Sequence, residues 1–182
     1  MRADARRKYD RILEVAKDVW FKQGMDASLN EVARRAEVGP GTLYRHFPTR
    51  EDLLDAVMKD WVDRVREAAD RAVASSQPSR ELLLTWFDEL VAHVCQHAGA
   101  ADRLIAAMDN PGSPLHGKWQ VLIEANARVL DRLSAEGALR GGADSADICR
   151  LLLGVAAVAD HGKLDPSAVR PLLAIVADAL LP

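Results

Sequence analysis

Aromatic residues are scarce in this chain of 182 residues, at 5% of the total. The short alternating runs that are typical of half-buried strands are missing as well, because Val and Ile fall mostly within long periodic segments. Ala and Leu are abundant instead, and both favour helices. We therefore expect an all-α fold, and the 49% hydrophobic content is enough for the core of one or two small domains.

Cysteine is nearly absent, since only Cys95 and Cys149 occur. Both lie in apolar helical contexts, so two buried thiols in a reducing cytoplasm are expected rather than a disulfide. No uninterrupted apolar run reaches the roughly 18 residues of a membrane span. The amino-terminal MRADARRKYD also lacks the apolar segment of a signal peptide. We expect a cytoplasmic protein that does not enter a membrane.

Motifs that carry catalysis are missing too. The sequence has no glycine-rich phosphate loop, no nucleophile elbow and no paired metal-ligand motif. His93 and His97 have the spacing of two ligands on one helical face, but no third ligand is placed nearby. An enzyme is therefore the weaker alternative, and no cofactor or metal is expected.

Charge is unevenly distributed along the chain, although the net charge is only -3. Residues 1–50 carry eleven Lys and Arg against seven Asp and Glu, whereas residues 51–182 carry thirteen against twenty. A basic front part suits contact with a polyanion, and an acidic remainder does not.

Helical periodicity, caps and breakers predict about nine helices. The first is stopped by Gly24, and Ser28-Leu29-Asn30-Glu31 reads as a capping box that opens the second. Thr49 to Asp52 caps the fourth, and Ser79 is a candidate cap for the fifth. Pro171 requires the last helix either to start after Pro166 or to kink. The predicted helices span residues 6–23, 29–36, 40–47, 50–74, 79–97, 100–109, 114–135, 144–160 and 166–181.

Residues 28–47 have the form of a helix-turn-helix unit. The turn is Glu37-Val38-Gly39, where the glycine is expected to supply a positive φ. Apolar residues at Ala33, Val38, Leu43 and Phe47 would pack the two helices together. The third helix could then enter the major groove of DNA, which is wide enough for it.

Side chains around this third helix suit contact with DNA. Thr42, Tyr44 and His46 offer donors to phosphate oxygens, and such contacts fix register more than sequence. Pro40 and Gly41 permit a close backbone approach. The candidate base readers are Asn30, Arg34, Pro40 and Arg45. The full set of expected DNA contacts is Ser28, Asn30, Arg34, Pro40, Gly41, Thr42, Tyr44, Arg45, His46 and Arg50.

The stretch VGPGTLYRHFPTREDLL, residues 38–54, resembles the signature of the TetR family of bacterial repressors. Upstream, Ile12-Leu13-x-x-Ala16, Phe21-x-x-x-Gly24 and Ser28-Leu29-x-x-Val32-Ala33 match the same family in the same order. The resemblance covers about residues 7–62, and beyond them it is one of general layout.

The resemblance implies a homodimer whose two heads occupy successive major grooves of a near-palindromic double-stranded operator. It also implies that Thr42, Tyr44, His46 and Arg50 touch the DNA backbone. Repressors of the family release DNA when a small molecule enters the helical body and moves the fourth helix. Here that helix is residues 50–74.

The eighth and ninth predicted helices carry the candidate dimer interface. Residues 148–159 are apolar nearly all round, which a helix on the surface of a monomer should not be. Two such helices from each subunit would form a four-helix interface, as TetR-like proteins usually do. The expected interface residues are Leu151, Leu152, Val155, Val158, Ala159, Leu172, Ile175 and Val176.

A pocket for a small apolar or aromatic ligand is expected between the fourth and eighth helices, with mostly apolar walls and few polar groups. The candidate lining residues are Trp61, Trp86, Phe87, Leu90, His93, Met108, Trp119, Leu122, Ile123 and Asn126. Tryptophan and methionine at helical spacing serve equally well as ordinary core.

The sequence thus predicts an N-terminal three-helix helix-turn-helix domain, residues 1–48, and a C-terminal helical domain for ligand binding and dimerisation, residues 49–182. The function expected is that of a repressor released from its operator by a ligand. The alternatives are a regulator without a small-molecule ligand and an activator.

Overall fold

The computed structural model describes residues 2–23, 27–142 and 144–182. Within these ranges it contains nine helices and no strand, which confirms the all-α prediction. Gly24, where the first helix was expected to stop, lies outside the described residues. The helices are α1 (Arg2–Gln23), α2 (Leu29–Arg35), α3 (Pro40–His46), α4 (Arg50–Ala74), α5 (Ser79–Val94), α6 (Ala100–Met108), α7 (His116–Ala135), α8 (Ser145–Gly162) and α9 (Pro166–Leu180).

The chain forms two compact units, Met1–Asp60 and Trp61–Pro182, and the division falls within α4. In the first unit α2 packs against both α1 and α3. In the second, α8 packs against α5, α6, α7 and α9. Among the described residues, no helix is both long enough and apolar enough to cross a bilayer.

Side-chain caps define the helix starts that the sequence predicted in the first unit. Ser28 Oγ accepts a hydrogen bond from the Glu31 amide at 3.2 Å. At α4 the box is reciprocal, because the Thr49 amide donates to Asp52 Oδ2 at 3.0 Å and the Asp52 amide donates to Thr49 Oγ1 at 3.1 Å. Capping side chains of this kind satisfy amides that have no partner inside the helix.

The turn between α2 and α3 differs from the prediction. Gly39 has a φ of −65°, so the expectation of a positive φ there is wrong, and the left-handed residue is Glu37, with a φ of 58°. The cause is the way α2 ends. The Val38 amide donates to the Ala33 carbonyl at 3.0 Å, and this closure requires the left-handed residue to lie just past the helix end. Gly39 is instead the extended N-cap of α3.

In the second unit the expected cap of α5 is wrong, and α9 starts at Pro166 rather than after it. Ser79 is not a cap, because α5 begins at Ser79 itself with Pro78 as its N-cap. The last helix begins at Pro166, where the Asp165 side chain accepts from the Ser167 amide at 2.8 Å, and it continues through Pro171. Pro171 is exposed, so its ring faces away from the core.

A buried amide links three helices in the core of the second unit. Asn126 on α7 is fully buried, and its Oδ1 accepts from Trp86 Nε1 on α5 at 2.9 Å. Its Nδ2 donates to the carbonyl and hydroxyl oxygens of Ser145 on α8, at 3.2 and 3.1 Å. All polar atoms of this amide therefore have partners within the chain, as buried polar groups require.

Replacing Asn126 by alanine should destabilise the protein by about 1–3 kcal/mol, because the buried Trp86 indole N–H loses its acceptor. Urea denaturation followed by circular dichroism, at one fixed protein concentration, measures this change. The control is Glu124→Ala, an exposed position on the same helix, which should stay within about 0.5 kcal/mol of the wild type. Equal stability of both variants would contradict the structural role of Asn126.

Candidate nucleic-acid interface

Two buried side chains determine which face of α3 is turned outward. Leu43 is completely buried and Phe47 nearly so, and both belong to the core of the first unit. Residues three and four apart share one helical face, so the positions between them face solvent. Tyr44 accordingly has 45% of its surface exposed, and Arg45 is exposed beside it.

The residues predicted to contact DNA lie at or near the surface of the first unit. Thr42, His46 and Arg50 are half-buried. The exposed members of the set are Ser28, Asn30, Arg34, Pro40, Gly41, Tyr44 and Arg45. The structure therefore gathers α3, the start of α2 and the start of α4 into one unit, with the predicted contacts accessible.

Sequence reasoning missed Tyr9, which holds the end of α3 from the side of α1. Its ring centroid lies 5.1 Å from that of Phe47 and 6.0 Å from that of His46, edge-on to the imidazole. Aromatic pairs at these separations are favourable. The signal was present, because Tyr9 lies three residues before Ile12 and so extends the buried face of α1.

The two candidate arginine readers have different surroundings. Arg34 donates hydrogen bonds to the Glu31 carboxylate from Nε and Nη2, at 2.9 and 2.8 Å. Arg35 Nε donates to the same carboxylate at 2.6 Å. These hydrogen bonds from Arg34 and Arg35 lower the pKa of Glu31 to about 2. In the part of the chain that the structure describes, Arg45 has no ion pair or hydrogen bond, so its guanidinium is available to a ligand.

Basic residues of α1 are also neutralised within the helix. Lys8 lies 2.8 Å from Asp4, Arg6 lies 3.2 Å from Asp10, and Arg11 contacts Glu14. Exposed pairs of this kind are weak and can exchange for phosphate contacts. In α3 the arginine lies in the last turn, where Arg45 is exposed.

Comparison with known proteins identifies the family. The model of bacterial regulatory proteins of the tetR family matches residues 12–57. The model of the C-terminal domain of SbtR-like transcriptional regulators matches residues 77–182, more than half of the chain. The chain belongs to the TetR family of transcriptional regulators.

Relatives of this TetR-family chain agree with that assignment. A solved TetR transcriptional regulator from Streptomyces coelicolor is 33% identical. The match covers 95% of this chain and 98% of that chain, with a TM-score of 0.59. An HTH-type transcriptional regulator of Staphylococcus aureus is 38% identical over 64 residues, which is 35% of this chain. The match spans only 35% of the length of that curated relative. Salmonella enterica GusR, 21% identical with 95% of each chain covered and a TM-score of 0.69, shares the fold.

The second unit of the TetR-family chain exposes apolar side chains on α8 and α9. Leu151, Val158 and Ile175 have 55%, 55% and 69% of their surface exposed. Of the other positions expected at a dimer interface, Val155, Leu172 and Val176 are half-buried. Leu152 and Ala159 lie instead in the core of their own chain.

Most of the expected pocket-lining residues are core residues. Phe87, Leu90, Trp119 and Leu122 are buried. Ile123, His93 and Met108 are half-buried, and Trp61, itself buried, donates its indole N–H to the His93 carbonyl at 3.0 Å. Trp86 lines a small cavity of about 260 Å³ together with Arg71 and Glu89.

A larger groove, of about 680 Å³, lies between α5 and the α8–α9 turn, and it shares no lining residue with the expected set. The histidine pair considered for a metal gains no support either. His93 is half-buried, and burial together with the nearby Arg64 lowers its pKa. The described residues contain no group of three or more metal-ligating side chains.

Glu31→Gln should increase affinity for DNA of any sequence, because it removes one negative charge from the start of α2 and weakens the hydrogen bonds of Arg34 and Arg35 to this side chain. Fluorescence anisotropy with a random duplex at low salt measures the change. The control is Glu14→Gln, which removes an ion-paired and more exposed carboxylate from α1. Affinity that falls, or rises equally in both variants, would show that Glu31 does not restrain these arginines.

Proposed function

We propose that this TetR-family regulator is a homodimeric repressor that binds a near-palindromic operator through α3 and leaves it when a small molecule binds the second unit. The observation that carries the proposal is the exposed face of α3. There the Arg45 guanidinium, which has no partner among the described residues, lies beside the exposed Tyr44, on a helix fixed by Leu43 and Phe47. Such a protein acts in the cytoplasm, where bacterial DNA lies.

In this proposal the residues of the first unit divide into three groups. Thr42, Tyr44, His46 and Arg50 bind phosphates and set the position of the head on the duplex. Arg45 reads a base edge, since a free guanidinium fork matches the two acceptors of guanine in the major groove. Arg34 and Ser28 support α2 instead, because their polar groups already bind Glu31.

Few other groups are available to read bases. Pro40 and Gly41 occupy the first turn of α3 and offer no side-chain donor. Asn30 is exposed at the start of α2 and remains a second candidate reader. Specificity then depends strongly on DNA shape and on the spacing of the two heads.

The proposed dimer rests on an apolar face of α8 and α9, hereafter the outer face. It is formed by Leu151, Val155, Val158, Leu172, Ile175 and Val176. Leu151, Val155 and Val158 recur at four- and three-residue steps, so they form one stripe along α8. Soluble monomers rarely expose a contiguous apolar patch of this kind. Pairing with a second copy about a two-fold axis would cover it in a four-helix arrangement.

Arg45→Ala should reduce affinity for the operator by about 1–3 kcal/mol and relax specificity, because it removes a base contact. Arg50→Ala and Tyr44→Phe should weaken binding to all sequences about equally. The operator is first selected from a genomic DNA library, and affinities for operator and random duplex are then compared at several salt concentrations. Affinity should fall steeply with salt because phosphate contacts release counterions.

An equal loss on operator and random DNA in Arg45→Ala would remove Arg45 from the readers. Binding that does not respond to salt would overturn the phosphate contacts assigned to Tyr44 and Arg50.

Ile175→Glu should convert the dimer into a monomer, because it places a charge at the most exposed apolar position of the outer face. Sedimentation at micromolar concentration separates the 19.9 kDa chain from a particle of twice that mass. The control is Ala106→Glu, an exposed position on α6, which should leave the mass unchanged. A wild-type protein that sediments as a monomer would contradict the proposal.

A further inference from the structure

The groove of about 680 Å³ in the second unit has the size of a small-molecule site. One side is a stripe of α5, formed by Asp88, Val91, Ala92 and Cys95 at helical spacing. The other side is the end of α8, the turn that follows it, and the start of α9. All of these elements belong to the unit Trp61–Pro182.

The walls of this groove are aliphatic. Val91, Leu164, Val169 and Leu173 line it, and no aromatic ring does. Partial burial, together with the nearby Asp160 carboxylate, raises the pKa of the Cys95 thiol. At neutral pH this thiol is uncharged, so it adds to the apolar wall. A flexible alkyl chain suits such a surface better than a flat aromatic ligand.

The charged groups of the groove leave one cation available. Asp88 is paired with Arg170, and Asp160 Oδ2 accepts from the Gly99 amide at 2.5 Å. Both lining carboxylates therefore already have donors. Among the described residues, Lys163 makes no ion pair or hydrogen bond through its ammonium group. Asp160 keeps its negative charge, because the Gly99 amide is neutral, but its Oδ2 already accepts a hydrogen bond, whereas the Lys163 ammonium is the lining cation that has no partner among the described residues.

The backbone of Lys163 is unusual for a lysine. It adopts the left-handed conformation, with φ 48° and ψ 45°, immediately after α8. The Leu164 amide donates to the Ala159 carbonyl at 2.9 Å, which completes the type of helix end that normally has glycine at this position. The same closure places Glu37 in the left-handed region after α2, so the helix end accounts for this conformation and fixes where the Lys163 side chain leaves the backbone.

We propose that this groove binds a small aliphatic carboxylate, with its carboxylate on Lys163 and its alkyl chain against Val91, Val169 and Leu173. The proposal rests on the proposed function, since it identifies the class of ligand that the second unit would take. The outer face is not blocked by such a ligand, because Leu172 and Ile175 lie on a different side of α9 from Arg170 and Leu173.

The test uses three eight-carbon probes that differ only in the head group: octanoate, octan-1-ol and octylamine. Titration calorimetry at pH 7.0 on the full chain should give a dissociation constant for octanoate at least tenfold lower than for the other two. Lys163→Gln should remove this preference, and Lys163→Arg should keep it. Ala92→Trp should abolish binding of all three, because it fills the groove from the exposed face of α5.

A second measurement reports on the same site without relying on affinity. Cys95 is exposed and Cys149 is buried, so alkylation by iodoacetamide at pH 8.5 should modify Cys95 first. Octanoate should slow that modification severalfold, as followed by mass spectrometry, and the slowing should be lost in Lys163→Gln. Equal affinity for acid and alcohol, preference for the amine, no binding of any probe, or unprotected Cys95 would each overturn the proposal.

Operator binding, measured separately by anisotropy with and without octanoate, distinguishes the two proposals. Selective octanoate binding in a protein that does not bind DNA would support the groove and contradict the proposed function. Normal operator binding without octanoate binding would overturn the groove and leave DNA recognition intact.

Discussion

The burial of Leu43 and Phe47 is the constraint on which the DNA-binding face depends. Helix α3 is only seven residues long, too short to be stable alone, so its orientation comes from packing. Because these two side chains lie in the core, Tyr44 and Arg45, which lie between them in the sequence, face solvent. Tyr9 extends the same packing to His46, so a residue on the first helix determines where an imidazole of the third can point.

In the first unit, ion pairs between neighbouring side chains determine which basic residues remain available to a ligand. Glu31 takes part in the start of α2 through its amide and in ion pairs with Arg34 and Arg35 through its carboxylate. Arginines that look equivalent along the sequence therefore differ in what they can still bind. The number of basic residues near a helix-turn-helix is a poor measure of how many can reach DNA.

The sequence was sufficient for every helix and for most helix starts, because caps, proline and hydrophobic spacing are local signals. Positive φ was assigned to Gly39 rather than Glu37, since the closure from Val38 to Ala33 outweighs the preference of the residue type. The interior of the second unit was harder to predict. Residues such as Trp119 and Phe87 have the composition of a pocket wall and of a core alike, and only packing distinguishes the two.

The burial of Leu152 and Ala159 in their own chain could not be predicted from composition either. Between residues 148 and 159 of α8 nearly every side chain is apolar, so periodicity could not separate the side that faces the chain's own core from the outer face. The exposed fractions of Leu151 and Val158 make that separation. The groove was missed for a different reason, because its lining comes from α5, α8 and α9, which are distant in sequence.

Pro171 has a consequence for the dynamics of α9. Proline has no amide hydrogen, so the Ser167 carbonyl lacks its usual partner one turn later and the first turn of α9 is joined to the rest by one bond fewer. Local opening of a helix begins where its hydrogen-bond ladder is weakest. Amides at the start of α9 therefore exchange with solvent sooner than those beyond Leu173. Ser167 and Arg170 line the groove from this weaker first turn, so we expect their wall to open more readily than the part of α9 beyond Leu173.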